Sequence, residues 1–480
     1  MEDWVGDEFF SLKLGDVRVD ESGKKFIKSL ASQPGISIPQ AFQTHSEVNA
    51  CYEFFHNGKV TAEKILKPHK QATLNRIKSE PVVLFPNDTT SFNYSSKPSI
   101  EETGNISAKN NQGFFLHPLL AITPSRINLG IIDAKLWARE ERVEKLTRKE
   151  IYALPLEEKE AMRWAESYIV ACKVAKECPN TQVITIADRE GDFAELFEIV
   201  SEYREKENYA HVIIRGSHDR ALIDETKITK KIKSKLTTDE EKNKIEEDKK
   251  IQKKLSTKLR NSQALGTVTF TIPATKNREK RVVTQVIKTS QITFKKRMAG
   301  SRSVTMNVVM AIEESPPPGV EPLIWWFLTT LPVDTFEQAT LVIQYYLARW
   351  EIEIFFKILK SGCNVEGRRL TGGALIPLIA VFLIIAWRIM YTMKLGRLCP
   401  DISAEKLFSS SEWKSVYKVL NKGSKLPDKP PTLNEFIIMV ARLGGYLNRK
   451  NDPPPGPTVM WRGFNKMQNL VEAWESFGPD

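Results

Sequence analysis

The chain has 480 residues, which at roughly 150 residues per domain suggests about three units. Hydrophobic residues make up 41% and charged residues 27%, values that exclude a wholly disordered chain, a collagen-like repeat and a disulfide mini-protein. The 70 Lys and Arg against 59 Asp and Glu leave a formal charge of +11, a surplus that favours an anionic partner such as nucleic acid or anionic lipid. Cys51, Cys172, Cys178, Cys363 and Cys399 are scattered, with no Cys-x-x-Cys pair. That argues against a zinc ribbon and predicts reduced thiols in a cytosolic compartment. The opening MEDWVGDEFF is acidic and lacks the basic and apolar regions of a secretory signal.

Residues 1 to about 72 read as helical and polar. LGDVRVDESGKKFIKSLAS carries Arg18, Lys24, Lys25 and Lys28 around a sparse apolar stripe. In THSEVNACYEFF, Thr44 or Ser46 can cap a helix, and NGKVTAEKILKPHKQATLNRIK supplies another. Such a unit suits DNA binding, and equally a solvated helical cap. PVVLFPNDTTSFNYS then reads as a core strand leading straight to Asp88, with FFLHPLLAI and INLGIIDAKLWA as further strands. Residues 156–176 have the pattern of an amphipathic helix. TQVITIADREGDFAELFEIV reads as strand, turn and helix, with Asp188 at the strand end.

From Ile228 to Arg260 the composition shifts to 12 Lys/Arg and 6 Asp/Glu in 33 residues. An exposed or flexible insertion fits, and its net charge could touch a phosphate backbone. GTVTFTI, RVVTQVIKTSQITF, SVTMNVVMAI and LIWWFLTTLPV read as strands, with SPPPG as a turn. DTFEQATLVIQYYLARWEIEIFFKILKSG predicts one long helix opened by an Asp334 cap. Thr371 to Trp387 is uncharged over 17 residues and then meets Arg388. Near the lower limit for a span, with Pro377 inside, it reads as a buried core helix, and no membrane partner is expected. The remaining tail reads as helical.

The long helix carries the sharpest local pattern. At about 100° per residue, Tyr346, Arg349, Glu353, Lys357 and Lys360 fall within about 80° of one another. One face would then present an aromatic hydroxyl, three cations and a carboxylate. The alternative is a solvated face with i,i+4 ion pairs. Asp88 and Asp188 add two strand-end carboxylates. Together with Glu353 they could converge on two divalent cations, and hard carboxylate oxygens select Mg²⁺ or Mn²⁺. Such a pair of ions suits phosphoryl transfer.

These motifs resemble the IS-four family of bacterial insertion-sequence DDE transposases, the Tn-five type. LGDVR and CYEFFHN resemble its end-binding domain, NDTTSF its first catalytic motif and ITIADREGD its second. The third, Tyr-(2)-Arg-(3)-Glu-(6)-Lys, is matched by Tyr346, Arg349, Glu353 and Lys360 with every spacing intact. VARLGGYLNRK resembles the dimerisation segment.

The resemblance implies an α/β fold with a ribonuclease-H-like catalytic core at 73–370 and a β-rich insertion at about 215–333. A helical end-binding domain at 1–72 and a helical dimerisation domain at 371–480 would flank it. It implies cleavage of the element ends with two metal ions through a hairpin, joining of the 3′ ends to target DNA, a synaptic homodimer and a bacterial, nucleoid-associated location. Asp88, Asp188 and Glu353 would ligate the metals, and Tyr346, Arg349 and Lys360 would hold phosphates, with Lys357 a lesser candidate. Trp325 aligns with an aromatic that stacks on a flipped base, although a core role and exposure of Trp326 instead remain open. Arg18, Lys24 and Lys25 are candidate contacts to end DNA. His117 reads as a core or supporting residue. Phe436, Ile437, Val440, Leu443 and Tyr446, at helical spacing, are candidate dimer contacts or ordinary core packing. Two other readings stay open: a non-catalytic DNA-binding or inhibitory dimeriser, and a cellular nuclease sharing the core.

Overall fold

The computed structural model describes residues 4–100, 102–107, 109–139, 147, 150, 154–220, 222, 254–275, 279–294, 304–371 and 373–477. The charged insertion expected from Ile228 lies outside the described residues up to 253. Helices α1 (Trp4–Glu8), α2 (Val17–Ser32), α3 (Ile38–Ala41), α4 (His45–His56) and α5 (Ala62–Ile77) open the chain. Asp16, Thr44 and Thr61 cap α2, α4 and α5 by accepting backbone N–H groups, Thr44 in a capping box with Glu47. Then come β1 (Val82–Pro86), β2 (Thr90–Asn93), β3 (Gly104–Asn105), β4 (Gln112–Ile122), β5 (Asn128–Trp137), α6 (Met162–Glu177), β6 (Gln182–Ala187), α7 (Ala194–Arg204), β7 (His211–Arg215) and α8 (Leu255–Arg260). Strands β8 (Ala264–Ile272), β9 (Arg281–Thr293), β10 (Thr305–Ile312) and β11 (Ile324–Thr329) lead to α9 (Phe336–Leu347) and α10 (Trp350–Lys357). The chain finishes with α11 (Leu375–Leu398), α12 (Ser410–Leu420), α13 (Leu433–Leu443) and α14 (Pro457–Phe477).

The single long helix expected from Asp334 is divided. Thr335, not Asp334, caps α9, because Gln338 three residues on closes a capping box. The N–H groups of Ala348 and Arg349 turn back to the carbonyls of Tyr345 and Tyr346, which ends α9. After α10, Ile358–Gly362 is π-helical, and the Cys363 N–H reaches the Ile358 carbonyl at 2.8 Å. A constant 100° step therefore does not run from Tyr346 to Lys360.

Contacts divide the chain into two compact units. Unit 1 comprises Met1–Val83, Asp88–Lys145 and Trp350–Asp480, and unit 2 comprises Leu84–Asn87 and Leu146–Arg349. In unit 1 the centre is α11, apolar on every side. Its most apolar window is 83% buried, and it packs against α5, β5, α13 and α14. That packing ties the N-terminal helices to the C-terminal ones. A buried polar joint reinforces it: the Glu8 carboxylate accepts from His69 Nδ1 and from both terminal nitrogens of Arg76, at 2.9 and 3.0 Å. His69 Nε2 accepts from the Ile131 N–H on β5 at 2.9 Å, and Arg76 lies 4.6 Å from the Trp387 ring. In the same unit, β4 pairs antiparallel with β2, β3 and β5.

The C-terminal stripe resolves toward core packing. Phe436, Ile437 and Val440 are buried, so these three are not available as dimer contacts. Gly444 and Gly463 let α13 and α14 approach backbone to backbone, since a Cβ on either would strike the carbonyl of Val459 or Val440.

In unit 2 the strand order is β1-β6-β7-β11-β10-β9-β8. β6 and β7 are parallel and joined through α7, and the pairs from β7 to β8 are antiparallel. Residues Val183–Ala187 of β6 are all buried, the mark of a strand covered on both faces. On β8, Val268, Phe270 and Ile272 turn inward between exposed threonines, the alternation read from the sequence.

Candidate active site

In unit 2 the end of β1 meets β6: the Asn87 N–H donates to the Ile186 carbonyl at 3.2 Å. Asp188 follows β6 and is half-buried. One of its oxygens accepts the Glu190 N–H at 2.8 Å, which caps a short 3-10 turn at Arg189–Gly191. Gly191 is required there, because a Cβ would sit 2.7 Å from the Ala187 side chain. The second acid of ITIADREGD, Asp192, has a different task that the sequence reading missed. It is 2% exposed and accepts from the N–H groups of Ser217 and His218 at 2.6 and 2.9 Å and from Arg220 Nε at 3.1 Å. Burial would push its carboxyl up, but the Arg220 charge and these bonds outweigh that and hold it below the usual range. Asp192 therefore fixes the turn after β7, while Asp188 keeps part of its surface open.

The aromatic residues of unit 2 separate by strand alternation. Trp325 and Phe327 share one face of β11, rings 6.4 Å apart, and Trp326 lies on the other. Trp326 packs on Gly216, where a Cβ would collide with the indole. The Trp325 ring is 5.7 Å from the Arg215 guanidinium, and the Tyr346 ring lies tilted against that of Phe327, 4.6 Å away. Both tryptophans are half-buried, but Trp325 is the one on the face with Tyr346. Contrary to a solvent-facing hydroxyl, Tyr346 is 7% exposed, and its OH is buried without a hydrogen-bond partner among the described residues.

In unit 1, Asp88 is half-buried and one oxygen accepts the Thr89 N–H at 2.7 Å. The Thr89 hydroxyl lies 2.9 Å from Nδ1 of His117, which is 1% exposed, so His117 supports the Asp88 turn from β4. Four residues beyond Asp88, the Phe92 ring lies 5.8 Å from the Lys360 ammonium. The Asn93 N–H donates to Glu366 at 2.7 Å, and the Tyr94 hydroxyl to the Val365 carbonyl at 2.8 Å. The first motif and the end of the third are thus packed together in this unit. Burial lowers the Lys360 pKa from its ordinary value, with Glu366 acting the other way. On α10, Glu353 is half-buried and Lys357 exposed. α10 is itself anchored by a buried pair, Glu351 to Lys394 of α11 at 2.7 Å.

Comparison with known families bears on the whole chain. A transposase DNA-binding model matches residues 1–60, a transposase DDE domain model residues 171–389, and a model of the Tn5 transposase dimerisation domain residues 384–476. The chain belongs to the Tn5-like DDE transposases. Its α/β fold is that of a ribonuclease-H-like DDE domain with helices at both ends, and it is a DNA transposase that binds DNA and self-associates. The DDE match includes Asp188 and Glu353 and begins after Asp88.

In the DNA-binding segment of the transposase, Arg18, Lys24 and Lys25 all lie on α2. Arg18 pairs with Asp16 and has a 91% exposed side chain; Lys24 pairs with Glu21 and Lys25 with Glu47. Among the described residues, no three His, Cys, Asp or Glu side chains form a group that could hold a metal ion. The donor chemistry nonetheless suits one: Asp88, Asp188 and Glu353 are partly open carboxylates, the hard oxygen ligands that Mg²⁺ and Mn²⁺ take. The five cysteines are free thiols.

Proposed function

We propose that this transposase cuts each end of its element by two-metal phosphoryl transfer with a hairpin intermediate, then joins the 3′ ends to target DNA within a synaptic homodimer in a bacterial cytoplasm, associated with the nucleoid. Asp88, Asp188 and Glu353 hold two Mg²⁺ or Mn²⁺ ions. Bound there, the ions would activate the attacking oxygen and stabilise the leaving one. In the first step a water oxygen joins phosphorus and the 3′-oxygen leaves. The freed 3′-hydroxyl then attacks the opposite strand and displaces its 3′-oxygen, closing the hairpin; a second water joins that phosphorus, the 3′-oxygen leaves again, and the 3′-hydroxyl so freed attacks target DNA. The side chains position the strand for these steps. Arg349 suits bidentate phosphate contact, and Lys360 and Lys357 add point charges; the Tyr346 hydroxyl, buried against β11, would reach a phosphate oxygen only if DNA binding uncovers it. Trp325 stacks on the base displaced at the hairpin, and Arg18, Lys24 and Lys25 contact end DNA.

The observation that carries this reading is the bond from the Asn87 N–H to the Ile186 carbonyl. It pairs the ends of β1 and β6, and Asp88 and Asp188 are the first and second residues beyond it along their strands. The test is a nicking assay run beside a gel shift. Asp88→Ala, Asp188→Ala and Glu353→Ala should each abolish nicking and leave end binding intact. Near-normal cutting by any one of them removes that residue from the catalytic set.

A further inference from the structure

Three stretches of unit 1 that are remote in sequence meet at the turn carrying Lys360. The loop at 33–37 leaves α2 within the matched DNA-binding segment and lies on the π-helix Ile358–Gly362. A Cβ on Gly35 would come within 3.0 Å of the Gly362 carbonyl oxygen and 3.3 Å of Asn465 on α14. Gln33 donates to Asn469 of α14 at 3.0 Å. Gly362 has Trp461, also on α14, 3.0 Å from the place its own Cβ would take.

Arg368 fastens the junction. Its guanidinium donates to the carbonyls of Pro34 and Cys363, both at 2.6 Å, and to that of Ile36. It lies 4.2 Å from the Phe382 ring of α11 and is 5% exposed. A buried guanidinium is expensive to desolvate, and burial pushes its pKa down to about 10. Its Nε has no partner among the described residues. The contacts it does make run between two chain segments. Just beyond the π-helix in the chain, the Val365–Glu366 stretch is held by Asn93, Tyr94 and Lys97, and the Phe92 ring lies 5.8 Å from the Lys360 ammonium. The π-helix thus meets both the first catalytic motif, through Lys360, and the loop of the end-binding segment, through Gly362.

We propose that Arg368 is a positioning residue for strand cleavage. It passes the seating of loop 33–37 to the π-helical turn that sets the Lys360 ammonium, so that a correctly seated end-binding segment is required for full cutting rate. The inference rests on the phosphate-holding role proposed for Lys360. π-Helical turns are uncommon and frequently sit at functional sites, and a displacement of about 1 Å at a reacting group can cost about 10²-fold in rate.

The experiment uses the full chain, assembled on paired ends before divalent metal is added. Arg368→Lys keeps the charge but loses the planar fork that reaches three carbonyls. Gly35→Ala crowds the Gly362 carbonyl, so that the loop or the π-helix must give by a few tenths of an ångström while Arg368 itself is unaltered. Both variants should bind single ends normally and assemble paired complexes, yet nick about 10- to 100-fold more slowly within them. Arg368→Lys combined with Lys360→Ala should be no slower than Lys360→Ala alone, because both act on one group. Multiplying losses, or normal nicking by Arg368→Lys beside an impaired Lys360→Ala, overturns the inference and leaves the Lys360 role standing. Early melting with end binding and cutting lost in step makes Arg368 a folding residue and likewise overturns it. Normal nicking by Lys360→Ala overturns this inference, and a normal hairpin step as well removes the Lys360 role.

Discussion

Lys394→Met tests how the helix bearing Glu353 is held. Two residues before Glu353, Glu351 is 2% exposed, and its Oε1 lies 2.7 Å from the ammonium of Lys394, which is 7% exposed. The other oxygen of Glu351 has no partner among the described residues. Burial lowers the pKa of Lys394 below its ordinary value against the pull of Glu351. Methionine fills nearly the same space and removes the cation, leaving a buried carboxylate uncompensated. Breaking a buried pair in this way costs about 3–5 kcal/mol. For a unit of this size, roughly 2–4 °C per kcal/mol predicts a melting temperature roughly 6–20 °C lower. Removing both charges, as Glu351→Leu with Lys394→Met, should recover most of the loss, since an apolar replacement of a whole pair is often neutral. Thermal melts of the four proteins make a double-mutant cycle, and nicking assays at a temperature where all are folded follow Glu353. The reasoning is refuted if Lys394→Met costs less than about 1 kcal/mol, the worth of an exposed pair, or if the double variant is no more stable than the single.

Acid should weaken unit 1 in two stages through the Glu8–His69–Arg76 joint. Burial holds His69 below its ordinary pKa of 6.5 despite Glu8, so the unfolded chain takes up that proton first and stability falls as pH drops below 6.5. Burial alone would raise Glu8, but His69 and Arg76 outweigh it and hold the group at about 2 against 4.5. About 3 kcal/mol is then lost as pH falls from 4.5 toward 2. Melting temperatures from pH 7 to 3 should show both limbs, and Glu8→Gln should flatten the lower one; an unchanged lower limb removes Glu8 as its cause. On the proposed hairpin route, Arg349→Ala and Lys360→Ala should slow hairpin formation about 10²-fold more than the first nick, because the hairpin requires a sharply bent strand. Equal losses at both steps in single-turnover gels would point to a folding role instead.

Much of this was legible in the sequence for identifiable reasons. VVLFP and VITIA are apolar enough to be core strands, so Asp88 and Asp188 could be placed at strand ends before any coordinates. THSE offered Thr44 or Ser46 as a cap, and Glu47, three residues after Thr44, decides for Thr44. The same rule, applied to Thr335 and Gln338, would have corrected the Asp334 cap. The break after Leu347 was not legible, since QYYLARWEIEIFFK contains neither Gly nor Pro to mark it. Nor could pattern alone divide labour between Asp188 and Asp192, because the partners of Asp192 lie some 25 residues downstream. Arg368 was invisible for the same reason: its acceptors include carbonyls more than 300 residues away in the chain.

The C-terminal stripe shows how to find the face left for self-association. An amphipathic helix states that one side is covered, not by what. Here α11, apolar all round, needs covering on every side, and α13 spends Phe436, Ile437 and Val440 inside unit 1. Deleting residues from about 430 onward would therefore bare this core as well as remove any association surface, and cannot isolate it. What α14 leaves outward is a different stripe. Arg462, Lys466 and Ala473 are exposed, Leu470 is half-buried and Phe477 is 91% exposed. Their spacing places them within about 80° on the helix. A two-fold contact sets the same patch against itself, so each substitution enters twice. Ala473→Arg, placed in this stripe inside the matched dimerisation segment, should leave the melting temperature and single-end binding nearly unchanged, as surface substitutions do. It should abolish paired-end complexes and cutting together. Paired complexes of normal mobility and yield in a gel shift with Ala473→Arg would place the association surface elsewhere on the molecule.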